Sequence, residues 1–175
     1  GGLTVGRMFG EQLPAGTVLY LWNRSAAMYK SVSKFPRGGW GAAGTTRVER
    51  GAGFWIRVPS TAASNRYPVY LIGNVPDRIT APTTEIPGVS GLNMLGYPYP
   101  YPMKWTNTDI SRSVPGSSTL YLWDQSNQVY ASFMKSARGS WGSRMSNVVL
   151  NPGQGFWLRN TGTFDWVESK PYTWP

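Results

Sequence analysis

The side chains able to donate or accept a proton near neutral pH are few in this sequence. There are eight carboxylates, Glu11, Glu49, Asp77, Glu85, Asp109, Asp124, Asp165 and Glu168, and neither histidine nor cysteine. Triads built on an imidazole, thiolate nucleophiles, disulfides and the common zinc and iron–sulfur sites are therefore excluded. The main catalytic chemistry left is a pair of carboxyl groups facing each other across a cleft, as in glycoside hydrolysis. Nothing in the spacing of the eight sets up such a pair. No calcium loop or phosphate-cradling glycine loop is present either. The expectation is a protein that is not an enzyme and carries no cofactor.

The groups in surplus are aromatic and cationic. Nine Trp, ten Tyr and six Phe make up 14% of the chain, as much as all charged residues together, whereas ordinary domains carry about 25% charged residues. Trp and Tyr faces stack on sugar rings, and the least core-like of them are Tyr97, Tyr99, Tyr101 and Trp105. The first three alternate with Pro98, Pro100 and Pro102, which favours polyproline II over a central strand. Trp40 and Trp141 are further candidate platforms, whereas Trp22, Trp55, Trp123 and Trp157 lie in strand-like runs and read as core. Seventeen Lys+Arg against eight Asp+Glu give a net charge of +9, which suits solubility and nonspecific attraction to polyanions. Twelve of the cations are Arg, but they are dispersed and match no nucleic-acid motif, so nucleic acid is not the expected partner. Arg57 and Arg159 read as structural, paired with carboxylates or stacked on neighbouring Trp rings.

These residues are positioned by a repeat. Leu13–Gly41 aligns without a gap on Val114–Gly142, with 13 of 29 positions identical. After a one-residue slip, Gly51-Ala52-Gly53-Phe54-Trp55-Ile56-Arg57 aligns on Gly153-Gln154-Gly155-Phe156-Trp157-Leu158-Arg159. Residues 17–23 paired with 27–32, and 118–124 with 128–133, read as β-hairpins because β-branched and aromatic runs end in polar turn residues. Residues 53–58 and 155–160 read as strands entered through Gly, while 69–72 and 164–167 close each module. The loops 38–41 and 139–142 are pinned by Trp40 and Trp141. No run has a helical period, so the fold class is all-β: two tandem, homologous, sandwich-like or barrel-like modules with minimal helix. The modules span residues 1–73 and 91–175, joined by a Pro-rich connector at 74–90.

Only the second module has the segment Gly91-Leu92-Asn93-Met94-Leu95-Gly96, read as its opening strand. The first lacks it and so presents an open edge that a neighbouring subunit could fill by strand addition. Donor candidates are residues 1–5 and 169–175, with Tyr172 and Trp174 as anchors. A contact of that kind does not close on itself and builds a filament. The start at Gly1-Gly2 reads as that of a processed chain, and no stretch reaches the roughly 18–20 apolar residues of a membrane span.

The order Gly91-Leu92-Asn93-Met94-Leu95-Gly96-Tyr97-Pro98, Leu120-Tyr121-Leu122-Trp123-Asp124, Trp141-Gly142 and Asn151-Pro152-Gly153-Gln154-Gly155-Phe156-Trp157 resembles duplicated β-rich modules of exported proteins from environmental bacteria of the Verrucomicrobia–Planctomycetes type. The likeness covers nearly the whole chain, although the first module lacks the opening motif. It implies an extracellular or cell-surface location, with no established activity and no catalytic residues to carry over. The expected function is a structural subunit of an extracellular assembly, a self-assembling filament whose main partner is itself. The alternative is a carbohydrate-binding module that holds surface polysaccharide on Tyr and Trp platforms; nonspecific polyanion binding comes third.

Overall fold

The computed structural model describes residues 3–64, 66–71 and 83–172, and divides into two compact units, Gly1–Asn74 and Val75–Pro175. Unit one runs β1 (Leu3–Thr4), α1 (Val5–Phe9), β2 (Val18–Asn23), β3 (Met28–Ser33), a 3-10 turn at Gly41–Thr45, β4 (Arg47–Val48) and β5 (Phe54–Arg57). Unit two runs β6 (Thr83–Gly88), β7 (Gly91–Gly96), β8 (Met103–Lys104), α2 (Asp109–Ser113), β9 (Thr119–Asp124), β10 (Val129–Met134), β11 (Val149–Leu150), β12 (Gly155–Asn160) and β13 (Phe164–Ser169), with 3-10 turns at Trp105–Asn107 and Ser143–Asn147. The protein is all-β, and the two α-helices among the described residues are five residues long, each capped by a threonine hydroxyl, Thr4 for α1 and Thr108 for α2. No helix among the described residues is long and apolar enough to cross a membrane.

The principal sheets have the orders β3-β2-β5 in unit one and β10-β9-β12-β7 in unit two, all antiparallel. Three two-stranded ribbons complete the described strands: β1-β4, β11-β8 and β13-β6. None of these sheets closes into a barrel. Each hairpin turns through four residues whose last adopts a left-handed backbone, Ala27 (φ 49°) and Gln128 (φ 53°). The turns are tied down by the last side chain of the preceding strand: Ala26 N–H donates to Asn23 Oδ1 (3.0 Å), and Ser126 N–H donates to Asp124 Oδ1 (2.9 Å).

Two departures from the sequence reading matter. Within the expected connector, Thr83–Gly88 is a strand that pairs along its whole length with β13, Thr84 opposite Glu168 and Ile86 opposite Trp166; the rest of that stretch lies outside the described residues. The prolines allow this because Pro87 sits on a two-stranded ribbon, where a missing N–H is tolerated. In unit one, residues 69–71 are not a strand, and Ile72 lies outside the described residues. Instead, Gln12 clasps this segment, accepting from Tyr70 N–H (2.6 Å) and donating to Tyr70 O (3.2 Å).

The cores follow from strand alternation. In unit one Val5, Phe9, Leu13, Leu19, Val32, Trp40 and Val48 are buried together. In unit two a larger cluster centres on Trp105 and Trp166, both fully buried, with Leu120, Leu158 and Phe156 from the sheet. Trp105 meets Trp141 edge-on at 5.0 Å and Phe156 at 5.8 Å, the T-shaped geometry that ring quadrupoles favour. Gly88 has no Cβ for a steric reason: the Phe164 ring lies where a Cβ would stand, within 2.2 Å of it.

Candidate functional site

In an antiparallel sheet, directly opposite residues share a face. The register therefore puts Leu19, Leu21, Phe54 and Ile56 on the inner face of unit one, and Tyr20, Trp22, Tyr29, Trp55 and Arg57 on the outer face. In unit two Leu120, Leu122, Phe156 and Leu158 face inward, and Tyr121, Trp123, Tyr130, Trp157 and Arg159 outward. All five outer positions carry the same residue in both units. These Trp residues are half-buried, which corrects their reading as core: strand membership says nothing about which face a side chain takes.

The outer rings form ordered clusters. Tyr29 stands edge-on to Trp22 (5.1 Å) and Tyr20 (6.0 Å), and Tyr130 edge-on to Trp123 (5.0 Å). Trp157 Nε1 donates to the Tyr130 hydroxyl (3.2 Å), and the Arg57 guanidinium lies 6.0 Å from the Tyr20 ring centre. The expected Arg partner was a carboxylate or a Trp ring; the structure gives Arg57 a tyrosine, and among the described residues neither Arg57 nor Arg159 has an ion pair. Tyr29 and Tyr130 remain 43% and 40% exposed.

The platforms read from sequence take the opposite role. Tyr97, Tyr99 and Trp105 are buried in unit two, and Tyr172 packs half-buried against the same core. Tyr99 donates to Glu168 O (2.8 Å) and Tyr97 contacts Glu168 Oε1 (3.4 Å), so the β6–β13 ribbon supplies the partners that let these phenols be buried. Tyr101 alone of the alternating run is well exposed, at 47%, and Trp174 lies outside the described residues. Trp40 is buried and Trp141 half-buried. Their indole N–H groups donate to Gly10 O (3.0 Å) and Ser111 O (2.8 Å), which fixes the glycine loops as the sequence reading expected.

Lys34, Lys135, Glu168 and Lys170 are buried ionisable groups outside the sites read from sequence. Lys135 Nζ donates to the carbonyls of Val114 (2.8 Å), Ser111 (3.0 Å) and Arg112 (3.1 Å), and burial holds its pKa below the usual lysine value. Three donors meet three acceptors, so the ammonium is a structural pin. Its equivalent, Lys34, uses Leu13 O (2.7 Å) and the Glu11 carboxylate (2.8 Å). Glu168 is almost fully buried; its carboxylate accepts from Asp109 N–H (2.9 Å), Ile110 N–H (3.3 Å) and the Trp166 indole. Burial raises its pKa, and the Asp109 charge adds to the rise, against the pull of those donors. Asp109 is also drawn upward by burial, but Arg112 and the Ser169 N–H outweigh that and hold it below the ordinary range. Both carboxylates are spent on local structure, and among the described residues no three acidic groups cluster as a metal site would require.

No protein-family model, curated protein or solved structure matches the chain.

Proposed function

We propose that the chain is a non-catalytic structural subunit of an extracellular or cell-surface assembly, polymerising when a strand of one copy completes the principal sheet of unit one in the next. The supporting observation is a comparison of equivalent core positions. Leu158 on β12 is fully buried, because β7 lies alongside and brings Asn93 opposite it and Leu95 opposite Phe156. Ile56 occupies the same place on β5, at the end of its sheet among the described residues, and is 37% exposed. A strand added alongside β5, as β7 lies alongside β12, would cover Ile56 and satisfy edge backbone groups.

Of the donor candidates, Leu3 and Thr4 pair with Val48 and Arg47 within the chain, and Val5 begins α1. Likewise Ser169 pairs with Thr83, and Tyr172 packs on its own core; residues 173–175 lie outside the described residues. Electron microscopy of the purified chain at neutral pH tests the reading. Ordered fibres are expected, together with their suppression by excess synthetic peptide of residues 91–98 and by Ile56→Asp. A chain that stays monomeric at high concentration overturns it.

A further inference from the structure

The outer faces of the two principal sheets carry a pattern that subunit assembly through an edge does not use. A solvated face of an antiparallel sheet ordinarily reads polar and varies freely. Here the pairs Tyr20/Tyr121, Trp22/Trp123, Tyr29/Tyr130, Trp55/Trp157 and Arg57/Arg159 are each identical, as are the inner pairs Leu19/Leu120, Leu21/Leu122 and Phe54/Phe156, while the outer pairs Val18/Thr119 and Ser33/Met134 and the inner pairs Val32/Phe133 and Ile56/Leu158 differ. The half-exposed aromatic face is kept between the repeats about as well as the core beneath it. Packing alone does not explain that, because a core position carries the greater burial energy.

We propose that each outer face binds an acidic polysaccharide, with sugar rings resting on the Tyr/Trp cluster and a uronate carboxylate engaging Arg159, or Arg57 in unit one. The C–H face of a pyranose is slightly positive and apolar, which complements the negative face of an indole or phenol. Small hydroxyl residues lie between the rings, Ser31 opposite Tyr20 and Ser132 opposite Tyr121, where sugar hydroxyls need partners. The guanidinium is exposed, has no ion pair among the described residues, and offers a planar fork that matches a carboxylate. In unit two Arg159 also lines a cleft of about 460 Å³ that continues the face with Ser117, Thr119 and Thr161, so a chain crossing the rings runs into polar walls.

The observations favour a glycan over other macromolecules. A protein interface core is depleted in serine, whereas Ser31 and Ser132 lie among the rings here. Nucleic acid needs a track of several cations, and each strand face offers a single guanidinium. The inference does not depend on polymerisation: a monomer that binds uronates would sink the proposed assembly and leave this site standing.

Titration calorimetry of the full chain with oligogalacturonates, and with the same oligosaccharides fully methyl-esterified, tests it. Binding to both units is expected, with the free acid at least tenfold tighter than the ester. The Arg57→Ala/Arg159→Ala double variant should lose roughly ten- to hundred-fold in affinity for the acid and bind acid and ester alike. Tyr29→Ala/Tyr130→Ala should weaken both ligands by about two- to tenfold, with circular dichroism unchanged. No binding, equal affinity for acid and ester in the unaltered chain, or an unaffected arginine variant overturns the proposal. So does a tyrosine variant that still binds the acid as before, because attraction then comes from net charge alone.

Discussion

At the scale of single residues, the two lysines shared by the repeats show how one sequence position can meet two electrostatic solutions. Lys135 is buried against carbonyl oxygens alone, while Lys34 reaches the solvent-facing carboxylate of Glu11. The position of Glu11 is Arg112 in the second repeat, whose side chain turns away to Asp109 (2.6 Å) and leaves only its carbonyl for the lysine. Lys135→Met should therefore destabilise unit two by about 2–4 kcal/mol, since buried carbonyls lose their donors, and Lys34→Met should cost less. Urea titration of both variants checks the order. Glu168 gives a pH test. Its raised pKa means that the folded state holds the proton more tightly than the unfolded chain. The stability this contributes is present below the unfolded value and lost as pH rises through the folded one. Glu168→Gln keeps an acceptor for the Trp166 and α2 N–H groups and removes the charge. Its stability relative to the native chain should rise with pH across that window, and parallel curves in urea unfolding would contradict this.

At the scale of elements, the hairpins were legible because their signals are local: β-rich runs, a polar turn of fixed length, and repetition. The left-handed residue at the end of each turn is neither Gly nor Asn, and that strain was invisible in sequence. Ala27→Gly and Gln128→Gly should each stabilise the protein by up to about 1 kcal/mol, read as a rise in melting temperature. The β6–β13 ribbon was not legible. Thr83–Gly88 reads as connector because Pro and Gly punctuate it, and only its pairing with a strand some eighty residues away makes it one. Gly88→Val should disrupt this ribbon and loosen Phe164, with a loss of about 3 kcal/mol or more. The same ribbon explains why Tyr97 and Tyr99 are core: their hydroxyl partners, Glu168 and Thr84, come from it. On the principal sheet, Asn93 of β7 and Asn160 of β12 are joined at 2.7 Å and both donate to Val89 O, just past the end of β6. Unit one, with no counterpart of β7 among its described residues, has Val58 where Asn160 would align.

At the scale of the whole molecule, the two units carry unequal cores. Among the described residues, seven buried ones form the cluster of unit one and fifteen that of unit two. Small cores give marginal stability, and unit one has in addition a partly exposed Ile56 where unit two has a sealed leucine. Differential scanning calorimetry should show two transitions, the lower belonging to unit one. Gly88→Val should move only the upper one, and Val32→Ala only the lower. A single transition displaced by both substitutions would refute independent units.

The sequence by itself determined the strand content, the two hairpins and the repetition, because all three are written in periodicity, turn chemistry and identity at a fixed offset. It also determined the absence of imidazole and thiol chemistry, which is a matter of composition. Only the tertiary structure decided which aromatic residues are core and which face outward. In a strand that choice depends on register and on what covers each face. The ribbon that buries Tyr97 and Tyr99 is assembled from segments far apart in the chain, whereas no element of the described sheets covers Trp22 and Tyr29, or Trp123 and Tyr130, in that way. Alternation assigns a residue to one side of a sheet, but long-range pairing determines which side becomes the interior.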